Sequence, residues 1–355
     1  MNYARLRLLF PALVLAAFAS ACKRGDPPVD DSGDEDVAEG IDPSVGGSTS
    51  GEAASADDDG IRFDASNQGE DLRLDLYCDY IDFVFVVDNS KSMADEQQNL
   101  VEAVPGFVEA MKEALPSVKS FRVGVVDTDS YPSIGPQELP IEGCPDTADC
   151  SNCDYRLGAF MSKAESARDP GTSCNFSSGM GYMDGQSPSF AEEFECAALV
   201  GTQGNPVEQQ IGALTEAISP TFNQPGGCNE GFLRDNALLV FLVITDEEDD
   251  GALPPPPRGG SQGEPQRWYD AVLQAKDGKP TNMVALGLIG DSDTTNECPE
   301  LDPQTNTGAE LTPRLHEFIG KFDINFVDSV CSNGYEAFFR AALEKVSEGC
   351  EHFIP

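Results

Sequence analysis

Unbroken apolar runs constrain this chain more than any other feature of it. Phe83–Val87, Leu238–Ile244 and Met283–Ile289 are each a short run of almost purely apolar residues between polar flanks. Such runs are too short for helices and lack the alternation of a half-exposed strand. They read as strands buried on both faces, the kind found in a parallel sheet. The stretch from Asp95 to Leu115 instead spaces Leu100, Val101, Val104, Val108, Met111 and Leu115 as a helix does. Further strands are expected at Phe121–Val126 and Ile324–Val327. Helices are expected at Phe190–Leu199, from Pro206 through Ile218, and at Pro265–Ala275, Pro313–Lys321 and Tyr335–Ser347. This alternation predicts an α/β, doubly wound, mostly parallel central sheet with helices on both faces, and ligands at its carboxyl edge.

Polar chemistry begins where the first run ends. Asp88, Ser90 and Ser92 form D-x-S-x-S just past Phe83–Val87. One carboxylate and two hydroxyls are hard oxygen donors, which suit Mg²⁺, Mn²⁺ or Ca²⁺ and suit zinc or copper poorly. Taken alone, such a loop more often just caps the following helix. Two later segments join it: Thr202, between Gly201 and Gly204 ahead of a helix, and Asp246, at the end of the Leu238–Ile244 run. The ordered set resembles the von Willebrand factor type A domain with its metal-ion-dependent adhesion site, over roughly Leu76 to Cys350. The resemblance implies a Rossmann-like fold in which Ser90, Ser92 and Thr202 coordinate a divalent cation through their hydroxyls. Asp88 and Asp246 would act directly or through water. An ion so lightly neutralised would accept an Asp or Glu carboxylate of a protein or matrix ligand at its open position.

The N-terminus reads as a targeting segment. Arg5 and Arg7 precede an apolar run from Leu8 to Ala19, too short to span a bilayer as a mature helix. Ala19-Ser20-Ala21-Cys22 resembles the lipobox of bacterial lipoproteins, which implies removal of residues 1–21 and lipidation of Cys22. Lys23 after that cysteine points to the outer membrane of a bacterial cell envelope, on its periplasmic or outer face. The alternative is ordinary secretion with cleavage after Ala21. Residues 22–75 are rich in Asp, Glu, Gly, Ser and Pro and poor in large apolar groups, so they are expected to be an extended acidic tether. The domain proper is expected over 76–355. With a formal charge of −40, nucleic acid and anionic lipid head groups are poor partners.

Of the 11 cysteines, ten remain after Cys22, an even number that in an exported protein argues for disulfides. Cys78 precedes the first strand and Cys350 ends the last helix, so these two are candidates to join the domain's ends. Cys150 and Cys153, with Cys144 and Cys174, could otherwise form a zinc knuckle, which export disfavours. Residues from about 130 to 189 are irregular and cysteine-rich, an insertion near the metal edge.

Three other acidic segments compete for attention. Asp127-Thr128-Asp129 also ends a strand, but ranks below Thr202 because it lacks the glycine-flanked turn. Glu247–Asp250 could supply a second cation site, and a solvated acidic loop is the favoured reading. Asp291-Ser-Asp293-Thr-Thr295 is similar to the D-x-D-x-T loop of haloacid dehalogenase-like phosphatases, but lies too late in the chain, and a turn accounts for it better. The chain has two histidines and no Walker loop or His-x-x-x-His. The reading favoured is a non-catalytic, cation-dependent adhesion module; the alternatives are a Mg²⁺-dependent envelope phosphatase and a structural lipoprotein with a degenerate metal site.

Overall fold

The chain builds its sheet outward from one strand. The computed structural model describes residues 78–129, 153–154, 156–164, 172–204, 208–250, 260–293, 298–302 and 304–355. The expected leader, lipidated Cys22, acidic tether and much of the insertion lie outside them. β1 (Tyr80–Val87) pairs in parallel with β2 (Ser120–Val126) on one side and β6 (Leu238–Ile244) on the other. Beyond β6 follow β7 (Met283–Ile289) and β8 (Asn325–Ser329), also parallel. The insertion adds a hairpin, β3 (Lys163–Ala164) with β4 (Thr172–Ser173), and a short strand β5 (Met183–Asp184) antiparallel to the edge of β2. The sheet order is therefore β5-β2-β1-β6-β7-β8.

Every residue of β6 and β7 is buried, as a strand covered on both faces requires. Side chains alternate between the faces, so each strand contributes to two separate apolar layers. Along β6, Leu238, Val240, Leu242 and Ile244 join Phe83 and Phe85 of β1 in a layer with α1 (Ala94–Ala114), α2 (Phe190–Ala198) and α7 (Glu336–His352). Leu239, Phe241 and Val243 join Val84 and Val86 on the other face, in a layer with α3 (Gln210–Ala217), α5 (Pro265–Ala275) and α6 (Pro313–Ile319). A one-turn helix, α4 (Pro220–Asn223), follows α3 and is capped by the Ser219 side chain. α1 runs through Pro105, whose missing N–H falls on the exposed side of the helix beside Gly106.

Two expectations need correction. The helix after Thr202 starts at Gln210 rather than Pro206. Residues 205–207 lie outside the described set, and Glu208 forms a β-bridge with Asp129 while Gln209 N–H donates to the Thr128 carbonyl at 2.9 Å. That pairing holds the backbone extended where a helix would need it coiled. The last helix also continues past Ser347 to His352, because Gly349 lets it pack directly on Val284 and Leu238.

Cys78 is bonded to Cys350, Cys153 to Cys228, Cys174 to Cys196 and Cys298 to Cys331. Cys153 and Cys174 are thereby committed to disulfides, which removes them from a zinc knuckle; Cys144 and Cys150 lie outside the described residues.

Candidate metal centre

The strand order reverses between β1 and β6: the chain leaves β1 toward β2, and leaves β6 toward β7. Loops diverge at such a point and open a crevice at the carboxyl edge. Asp88 directly follows β1, and Asp246 follows β6 after Thr245, so both stand at this crevice. Asp88 N–H closes the ladder by donating to the Ile244 carbonyl at 3.0 Å.

Asp88 is fully buried. Its Oδ1 accepts the Ser90 amide at 2.6 Å and its Oδ2 the Thr245 hydroxyl at 2.5 Å. Burial raises its pKa above the usual carboxylate value, and these two hydrogen bonds oppose the rise. The Ser90 and Ser92 hydroxyl oxygens lie 3.2 Å apart.

Gln97, on the first turns of α1, ties this loop to the Thr202 turn. Its Nε2 donates to the Asp88 carbonyl at 3.0 Å and the Gly201 carbonyl at 2.7 Å, and its Oε1 accepts the Gly201 amide at 3.2 Å. Gly201 has φ 89°, a conformation that favours glycine. Gly204 N–H donates to the Asn89 carbonyl at 3.0 Å, and a Cβ at Gly204 would stand 2.3 Å from Asn89 Oδ1. The two glycines flanking Thr202 thus let its turn close on the Asp88 loop. Ser90, Ser92, Thr202, Gly204 and Glu247 line one cavity of about 370 Å³, together with Leu301, Asn306 and the exposed Lys91.

Asp88 and Asp246 lie behind that lining. Asp246 is fully buried, and neither of its carboxylate oxygens has a hydrogen-bond partner. Burial first, then the charge of Asp88, pushes its pKa up to about 7, and the nearby Ser92 hydroxyl opposes this. Glu247 is pushed up to about 8 by burial, Asp88 and Asp246. A buried carboxylate without a donor is costly unless it holds a proton or faces a cation. Its company here is hydroxyl and carboxylate oxygen, the donor set of a hard divalent ion. Among the described residues no group of three or more His, Cys, Asp or Glu is placed to hold a metal, so a cation here would depend on the serine and threonine hydroxyls.

The competing acidic segments have other occupations. Thr128 is buried and donates its hydroxyl to Glu208, and Asp129 accepts from Asn89 Nδ2 at 3.2 Å. The reading of Glu247–Asp250 as a solvated loop is corrected at two positions. Asp249 is fully buried and accepts from Ile211 N–H at the start of α3 and from both donors of Ser261. Glu248 accepts from Arg314 and Leu315 N–H at the start of α6. Both carboxylates meet unpaired amides and the positive end of a helix. Asp291 accepts from Cys298 N–H at 3.1 Å, a loop-closing contact, and residues 294–297 lie outside the described set.

Spacing alone did not single out Asn89, Gln97, Thr245 or Glu208. Thr245 is the most legible of them, a hydroxyl at a strand's end beside Asp246. Gln97 and Glu208 carry no local signal, since their partners are distant in sequence.

No family model matches the chain, and no curated protein matches it. Among solved structures it is similar to proximal thread matrix protein 1 from the mussel byssus, at 10% identity and a TM-score of 0.37, covering 76% of this chain and 49% of that one. A second structure of that protein, with a zinc-occupied MIDAS motif, gives 10% and 0.36 over 76% and 49%. The pilus adhesin SpaC from Lactobacillus rhamnosus GG, in an open conformation, gives 12% and 0.37 over 75% and 30%. The chain spans about half or less of each of these proteins, and likeness at this level carries no argument about family or function.

Proposed function

We propose that the domain binds a divalent cation at the β1–β6 crevice and uses it to hold an acidic residue of a protein or matrix ligand. The observation that carries this reading is Asp246, fully buried with two unpartnered carboxylate oxygens behind paired serine hydroxyls. Ser90, Ser92 and Thr202 would hold the ion through their hydroxyls, with Asp88 and Asp246 behind them supplying negative charge. The ion, Mg²⁺, Mn²⁺ or Ca²⁺, would offer a Lewis-acidic position to a carboxylate. The chain's own part is to fix the donors: Thr245 and the Ser90 amide orient Asp88, and Gln97 holds the Thr202 turn in register. The proposed setting is a lipid-anchored position on a bacterial cell envelope, supported by the N-terminal sequence. Among the described residues no helix is long and apolar enough to cross a membrane.

Titration calorimetry of the mature protein with Mg²⁺, Mn²⁺ and Ca²⁺ tests the reading. Saturable binding by at least one ion is expected, lost in Ser90→Ala and in Asp246→Ala while both variants keep the wild-type circular dichroism spectrum. Absence of binding by all three ions would overturn it.

A further inference from the structure

A further buried carboxylate stands beside the crevice. Glu208 is 4% exposed; its Oε2 accepts the Thr128 hydroxyl, and its Oε1 has no hydrogen-bond partner. The Thr128 oxygen also lies 3.5 Å from Asn89 Oδ1, so Glu208 is one hydroxyl removed from the residue between Asp88 and Ser90. The Asp129–Glu208 bridge fixes its backbone there. Two residues on, Gln210 is fully buried; its Nε2 donates at 3.1 Å to Thr245, the residue whose hydroxyl binds Asp88, and its Oε1 is unpartnered. The segment entering α3 therefore brings two unpartnered buried oxygens toward the carboxylate that begins the site. Burial and then the like charges of Asp88, Asp129 and Glu247 push the Glu208 pKa up to about 10, against the Thr128 hydroxyl. That is an environment short of positive charge.

We infer that Glu208 supplies charge to the cation centre from the segment that leads into α3, standing beside the donors rather than ligating the ion, and adding to Asp88 and Asp246. The inference rests on the cation-binding reading above. It makes the surroundings of the hydroxyl donors richer in negative charge, and the charge a site carries tunes its hold on an ion such as Ca²⁺.

Glu208→Gln keeps the side chain's size and an acceptor for Thr128 while removing its charge. Calorimetry on the mature protein is expected to show Mn²⁺ and Ca²⁺ affinity lowered about 10- to 100-fold, with the melting temperature of the metal-free protein unchanged or raised. Thr128→Val, which breaks the hydroxyl link but keeps the charge, is expected to cost less affinity. Unchanged affinity in Glu208→Gln, with binding still lost in Asp246→Ala, would overturn the inference and leave the cation reading intact. Equal losses in Thr128→Val and Glu208→Gln would also overturn it, since the residue would then act through packing alone. No binding by the wild type would overturn both. Should Glu208→Gln fail to fold, Glu208→Leu in the Thr128→Val background removes the charge without stranding the hydroxyl and is compared with Thr128→Val alone.

Discussion

Two buried aspartates three positions apart show what separates a structural carboxylate from an open one. Asp249 has its oxygens filled by Ile211 N–H and by Ser261. Asp246, equally buried, has neither oxygen filled. The difference has a pH signature in the metal-free protein. Asp246 and Glu247 have folded pKa values of about 7 and about 8, against ordinary values of 3.8 and 4.5. The folded state therefore binds more protons than the unfolded state across that interval, and stability falls as pH rises through it. Urea denaturation in EDTA is expected to give a lower midpoint at pH 8 than at pH 5. Asp246→Asn should flatten the slope, and a midpoint that rises with pH would contradict the assignment.

At the scale of elements, β6, α5 and β7 were legible to the residue because each is an uninterrupted signal: a wholly apolar run, or a proline-started amphipathic turn. What stayed hidden depends on contacts between distant parts. β5 has two residues and exists because the edge of β2 pairs with it. The start of α3 is displaced by the Asp129–Glu208 bridge, and the end of α7 is extended by its packing on β6 and β7. In the site, the hydroxyl and aspartate spacing pointed to the crevice, whereas the acidic loop after Asp246 read as solvated because the amides it caps belong to other elements. Central strands should carry the largest share of stability. Phe241 is fully buried against Phe318 and Phe322, with ring centroids at 5.8 and 5.1 Å. Phe241→Ala is expected to cost about 3–5 kcal/mol in equilibrium denaturation.

For the whole molecule, the Cys78–Cys350 bond spans a sequence separation of 272 and joins the start of the described domain to its last helix. Closing so long a loop restricts the unfolded chain more than the shorter links do. Replacing both cysteines by alanine is expected to lower stability by about 2–5 kcal/mol, read from denaturant midpoints of the oxidised proteins. An unchanged midpoint would place the stabilisation elsewhere.

β1 enters at Tyr80 and delivers Asp88 at its far end, about 26 Å away for eight extended residues. A force applied at Cys78 and resisted at the crevice would run lengthwise through this strand, which is held on both sides by parallel neighbours. Its ladder bonds would then be loaded in shear and have to give way together, while the sulfur link passes part of the pull to α7. Such a grip resists traction along the strand far better than peeling across it.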